Sequence, residues 1–252
     1  RGRKRGRSGC LTVAVLVLLA AVGYAVFRVA TWPDVARLAA ANPKTTAFIE
    51  RYRAERRAEG KSDRVAWTWV PYAAISPALK RAVLVGEDIG FFSHHGFEVE
   101  EMKNAVREAI EDKELPRGAS TITQQLAKNL WLSPSRNPLR KLEEAILTRQ
   151  LERGLAKRRI LEIYLNVVEM GPGVYGAEAG AKRWFGKAAS ELTEEEAAQL
   201  AASLPDPADW HPGEEVIVPP PGSCGAAKDR MQSTDPSVRC VDWFLCFKKL
   251  DK

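Results

Sequence analysis

Gly118-Ala-Ser-Thr-Ile-Thr-Gln-Gln-Leu-Ala-Lys-Asn129 opens a helix and gives it two unlike faces. Ser120 or Thr121 can cap its start, and Thr121 with Gln124 has the spacing of a capping box. Ile122, Leu126 and Leu130 recur at i, i+4 and i+8 as an apolar face, whereas Thr121, Gln125 and Lys128 recur at i, i+4 and i+7 on another. The donors of a helix N-terminus, a hydroxyl, an amide and an ammonium can together receive an oxyanion such as a phosphate. The same residues equally suit an ordinary amphipathic surface helix with a good cap. The neighbouring segments decide between the two.

Upstream, Ser76-Pro77 is a helix start with proline at the first helical position. That helix runs into Glu87-Asp88-Ile-Gly-Phe91-Phe92-Ser-His94-His95-Gly96. Glu87, Phe91 and His94 would share a face if the helix continued through them. A carboxylate beside aromatic rings is partly desolvated, which raises its proton affinity and suits it to base catalysis. The plainer alternative is a solvated helix end with a histidine cap. His94 and His95, being adjacent, point apart on a helix and make a poor joint metal site. Downstream, Arg140-Lys141-Leu-Glu-Glu144 places Arg140 and Glu144 at i, i+4, where they can pair. An exposed pair of that kind contributes only about 0.3–0.5 kcal/mol. Lys157 to Asn166 reads as a core helix, followed by a turn over Gly171-Pro-Gly-Val-Tyr-Gly176.

The chain of 252 residues is 45% hydrophobic and 28% charged, enough for one domain of ordinary size with appendages. Its net charge of +6 is concentrated: Arg1, Arg3, Lys4, Arg5 and Arg7 supply five positive charges, leaving one for everything else. A basic body able to coat nucleic acid is therefore excluded. Behind the basic run, Gly9 to Phe27 is free of charge for 19 residues. A bilayer core of roughly 30 Å needs about 20 apolar residues, so this segment just spans it. Arginines before it place the N-terminus in the cytoplasm and the remainder outside. The apolar run Leu11–Phe27 exceeds the usual signal-peptide length of about 7–15, and no small-x-small site precedes Arg28, so an uncleaved anchor is expected. Cys224, Cys240 and Cys246 fit no standard zinc spacing, although an oxidising exterior would permit a disulfide.

These features divide the chain into a basic cytoplasmic tail (1–8), a transmembrane anchor (9–29), a helical membrane-proximal linker (30–62), a main domain (63–207) and a divergent, poorly ordered tail (208–252). Asp34–Ala41 and Thr46–Glu59 read as short helices, the second stopped by Gly60, and Val65–Val70 alternates like a strand. Thr193 with Glu196 forms another capping box, opening a helix that ends before Pro205. There is no repeat, no glycine-rich phosphate loop after a strand and no βαβ alternation. The expected fold class is all-α, mainly helical, with a single N-terminal transmembrane helix.

Individually weak, the blocks at 87–96, 118–129, 140–144, 159–166 with 171–176, and 192–205 together resemble the glycosyltransferase domain that polymerises peptidoglycan, in its monofunctional form. The resemblance runs from about Asn42 to Pro207. It implies a lysozyme-like helical fold with a cleft, and lipid II and the growing glycan strand as substrates. The protein would sit in the bacterial plasma membrane, with its catalytic domain outside the cytoplasm and other cell-wall synthesis proteins as partners. By motif, Glu87 would be the general base, and Lys128 and Arg140, with Lys141, would neutralise the departing pyrophosphate. Glu144 would orient the donor or help hold a divalent ion, Mg or Mn, although no cofactor is required. Ser120, Thr121, Gln125 and Asn129 would position sugars and phosphates. His94, grouped with them, has no defined role and could simply lock its loop. Two alternatives stand beside this reading: a lysozyme-like glycan-cleaving enzyme, and a catalytically silent membrane scaffold.

Overall fold

The computed structural model describes residues 5–98, 103, 120–135, 137–205, 207 and 212; the side chains at 5–11, 21, 24, 25, 29 and 138 lie outside that description. So do residues 1–4, Gly118, Ala119 and nearly all of the 208–252 tail with Cys224, Cys240 and Cys246. The chain divides into two compact units, Arg1–Asp34 and Val35–Lys252.

The first unit is a single helix, α1 (Arg5–Ala30). Val13, Leu16, Val17, Leu18, Leu19, Val26 and Phe27 are all exposed along it. Among the described residues no helix is long and apolar enough to cross a membrane, so the expected span rests on the sequence.

The second unit is built mainly of helices whose starts are written into the sequence. Thr46 caps α2 (Ala47–Ala58), accepting from Ile49 N at 3.1 Å, and Ser76 caps α3 (Pro77–Glu87). Thr121 and Gln124 close the expected capping box at the head of α4 (Ile122–Trp131). Asn137 caps α5 (Pro138–Gly154), and α6 (Lys157–Val167) follows almost at once. Beyond them lie α7 (Ala177–Phe185) and α8 (Glu194–Ala202), the latter opened by the Thr193–Glu196 box. The centre of the unit is α4, packed against α2, α5 and α6, with Ile122, Leu126 and Leu130 buried. That is the apolar face its sequence spacing implied.

Three expectations need correction. Asp34–Ala41 forms only a short 3-10 turn, Ala36–Ala39. That turn and α2 are part of the body and not a linker lifting it. Ile49 is fully buried, and Arg159 of α6 clips the turn by donating to the Leu38 and Ala41 carbonyls at 2.9 and 3.1 Å. Finally, the body is mainly helical as expected, but the segment read as a turn at 171–176 contributes strands, which join one inside the strand-like Val65–Val70. Strands β1 (Ala66–Trp67), β2 (Glu169–Gly171) and β3 (Val174–Tyr175) form a small sheet in the order β1-β3-β2. β1 pairs parallel with β3, and β2 antiparallel with an irregular register, so the segment read as a turn at 171–176 is a tight hairpin. Gly176 ends it at φ +79°, where a Cβ would lie 2.5 Å from the Asn166 carbonyl oxygen, so only glycine fits.

Candidate active site

The chain leaves the helical conformation immediately after Glu87, with Asp88 at φ −166°. Glu87, Phe91 and His94 therefore do not share a helical face, because Asp88 is drawn off to a different task. Its Oδ2 accepts from the backbone N–H of Ile122 at 3.0 Å, placing a carboxylate on the N-terminus of α4. Its Oδ1 lies 2.8 Å from His94 Nε2, while Gly96 N donates to His94 Nδ1 at 3.0 Å. With Nδ1 accepting, Nε2 carries the proton shared with Asp88. Phe91 goes into the core, edge-on to Phe92 and to His94. His94 and Thr121, both grouped by sequence with the ligand-binding residues, are buried and engaged inside the protein. Besides capping α4, the Thr121 hydroxyl donates to the Gly96 carbonyl at 2.8 Å. Both hold the loop that follows the base.

Glu87 itself turns toward α4. Gln125 Nε2 donates to Glu87 Oε2 at 2.6 Å and also approaches the Ser120 carbonyl at 3.3 Å. Behind Gln125, the hydroxyl of the fully buried Tyr164 donates to Gln125 Oε1 at 2.8 Å. Burial pushes the Glu87 carboxyl above its usual range, against the opposing pull of the Gln125 hydrogen bond and the Lys128 charge; Asp88 adds to the rise. A half-buried carboxylate with raised proton affinity is the chemistry of a general base or acid.

One turn along α4 from Glu87's partner stands Lys128. Burial pushes its ammonium down first; Glu144 counteracts, Arg140 and Lys141 add to the fall, and Glu87 counteracts weakly. Lys128 thus feels both carboxylates. On α5, Glu144 is 2% exposed, so the exposed-pair alternative does not hold. Arg140 Nη1 donates to its Oε2 at 2.7 Å and Lys141 Nζ to its Oε1. Three cations face two carboxylates here, an arrangement open to an added anion. Ser120 lies exposed at the edge of this row, and Asn129 is buried on α4 beside Lys128.

Two contributors escaped the sequence reading. In the sequence Tyr164 reads as a core residue, because apolar neighbours surround it. Phe48 of α2, whose ring centre lies 5.8 Å from Lys128 Nζ, has no motif to mark it. Among the described residues no group of three or more His, Cys, Asp and Glu stands together as a metal site.

Residues 45–232 match the model of the transglycosylase family. The chain is similar to the biosynthetic peptidoglycan transglycosylase of Azoarcus sp. (strain BH72), 52% identical over 168 residues, covering 66% of this chain and 72% of the relative. The protein of that name from Laribacter hongkongensis (strain HLHK9) is 44% identical over 179 residues, covering 70% and 78%. That from Bordetella avium (strain 197N) is 40% identical over 205 residues, covering 80% and 83%. The family match begins within the sequence-expected boundaries and runs past Pro207 into the tail read as divergent. On the extent of that match and the identity of these relatives, this chain belongs to the transglycosylase family.

Proposed function

We propose that this peptidoglycan glycosyltransferase takes lipid II as its substrate and extends a β-1,4-linked glycan strand by an inverting displacement in which Glu87 is the base. The 4-hydroxyl oxygen of the acceptor's GlcNAc attacks the anomeric carbon of the donor's MurNAc from the face opposite the lipid diphosphate. As the new C–O bond forms, the hydroxyl proton passes to Glu87 and the bond to the diphosphate oxygen breaks. The released group is polyprenyl diphosphate, whose departure drives the step, so no nucleotide is consumed. Lys128, Arg140 and Lys141 offset the charge gathering on it. Glu144 orients Arg140 and Lys141, while Ser120, Gln125 and Asn129 line the row between base and cations.

The observation that carries this reading is the continuity along α4, from the Gln125-held Glu87 to Lys128 and on to the Arg140–Lys141–Glu144 group. A Mg or Mn ion at the diphosphate finds a poor partner in Glu144, because both its oxygens already accept from cationic side chains. The raised proton affinity of Glu87 would also suit the proton donor of a glycan-cleaving enzyme. Such an enzyme, however, has no use for three cations at the leaving-group side.

The membrane anchor belongs to the same proposal. The charge-free stretch Gly9–Phe27 and the arginines before it support a single span with the catalytic body outside the cytoplasm. Donor and acceptor are lipid-linked, so anchoring confines enzyme and substrate to one surface; cell-wall synthesis partners would meet it there. Detergent-solubilised full-length protein incubated with labelled lipid II should give a ladder of glycan, and Glu87→Gln should give none at matched concentration. A well-folded parent that makes no polymer, or a Glu87→Gln variant that polymerises normally, would overturn the reading.

A further inference from the structure

We infer that Tyr164 is a positioning residue for the base: its hydroxyl fixes which end of the Gln125 amide faces Glu87. The inference rests on the assignment of Glu87 as base. A glutamine amide presents either its N–H₂ or its oxygen to a neighbour by turning about its last bond, and the two orientations are nearly equal in shape. Here they have opposite consequences. With Nε2 toward Glu87, the base receives a donor at 2.6 Å. Turned the other way, two oxygens would face each other across that gap. The Tyr164 hydroxyl lies at the far end of the amide, 2.8 Å from Oε1. A phenol donates more strongly than it accepts, so it favours the orientation that offers it the carbonyl. Tyr164 is fully buried between α4 and the rest of the body, so no solvent competes for the contact. The order from back to front is phenol, amide, carboxylate: the phenol donates to the amide oxygen and the amide N–H₂ to the carboxylate.

Among the described residues the charged and titratable groups around Glu87 are few. Lys128 faces it from α4, Asp88 adjoins it in the chain and Tyr164 stands behind Gln125 on α6. From α8, which packs on α3, Glu194 pairs with Arg81 at 3.2 Å and takes no part. Asp88 is held by Ile122 and His94, which leaves Gln125 as the adjustable donor to the base.

The test is the pH dependence of kcat for lipid II polymerisation by the full-length protein in detergent, comparing the parent with Tyr164→Phe, Gln125→Met and the double variant. Tyr164→Phe should lower kcat at neutral pH by about 2- to 10-fold, the worth of one hydrogen bond, with KM little changed. Its acid limb should move to higher pH, since a base deprived of its donor holds its proton more tightly. Gln125→Met should move that limb at least as far, and adding Tyr164→Phe to it should move it no further. An unmoved limb in either single variant, or additive shifts in the double, would overturn the inference. Loss of activity in Glu87→Gln alongside an unmoved limb would leave the base assignment standing and reject Tyr164 alone. If Tyr164→Phe does not fold, the limb of Gln125→Met still decides, because an amide that does not matter to the base cannot be positioned for it.

Discussion

Glu87 is held where its charge is costly, and that fixes the sign of two pH effects. Burial raises its folded-state pKa above the ordinary carboxylate value of 4.5, so the proton is bound more tightly in the folded chain than in the unfolded one. Its favourable contribution to stability is present below the unfolded value and is lost as pH rises through the folded one. Catalysis runs the other way, because the base acts only when ionised, and activity falls as pH drops through the same folded pKa. Glu87→Gln should therefore lose about 10²–10⁴-fold in kcat. It should also melt higher than the parent at pH 8, by about 2–4 °C for each kcal/mol relieved, with the difference vanishing near pH 4. A melting temperature that drops at pH 8 would show that the carboxylate is not strained. Lys128 has the opposite sign. Burial lowers its pKa, so activity should fall on the alkaline side earlier than an ordinary lysine would allow. Lys128→Met keeps the stem without the charge and should cost about 10²–10³-fold in kcat while removing that alkaline limb. An unchanged alkaline limb would assign it to another group.

Among the elements, the small sheet carries a pH-sensitive carboxylate of its own. Glu169 of β2 is pushed up to about 7, mainly by burial; the Gly173 N–H and Arg51 oppose the rise and Glu55 adds to it. Its sign is that of Glu87: stability should fall as pH climbs from about 5 through 7. Glu169→Gln keeps an acceptor for Gly173 and should flatten that fall, a gain of about 1–3 kcal/mol at pH 8 before solvent screening is discounted. Parallel slopes for parent and variant in denaturant melts across that range would refute it. Gly176→Ala should lose at least about 2 kcal/mol, since the left-handed backbone and the Asn166 carbonyl both exclude a Cβ. The sequence marks such elements unevenly. The Thr121–Gln124 and Thr193–Glu196 boxes and the Ser76-Pro77 start were legible because caps are local. The strand character of Val65–Val70 was legible too, but its pairing through Ala66 and Trp67 with Val174 and Tyr175 was not, because it joins residues more than a hundred apart. The clipping of Ala36–Ala39 by Arg159 was hidden for the same reason. At the site, Glu87, Lys128 and Arg140 were legible as charges, but the roles of Asp88 and Tyr164 depend on partners brought in by α4.

For the molecule as a whole, the chain divides at Asp34 into two compact units, and the proposed membrane anchor lies wholly in the first. The body from Val35 onward carries its own core, with Ile49, Leu126, Tyr164 and Tyr175 all buried. Leu16 and Leu19 are exposed on α1, at 60% and 61%, and a charge at either would sit near the middle of the expected span. Each arginine there costs about 2.5–3.5 kcal/mol of insertion, so Leu16→Arg with Leu19→Arg should abolish it. In membrane fractions washed with alkaline carbonate, the parent should stay in the pellet and the double variant should be released. The melting temperature of the body should be unchanged, because the substituted residues belong to the other unit. Polymerisation should then depend on how lipid II is presented. With substrate dispersed in detergent the double variant should match the parent, whereas in liposomes it should fall well behind, having lost its confinement to the substrate's surface. Retention in the washed pellet would mean that the body itself binds the membrane. Equal rates in liposomes despite release would mean that the body finds lipid II without an anchor.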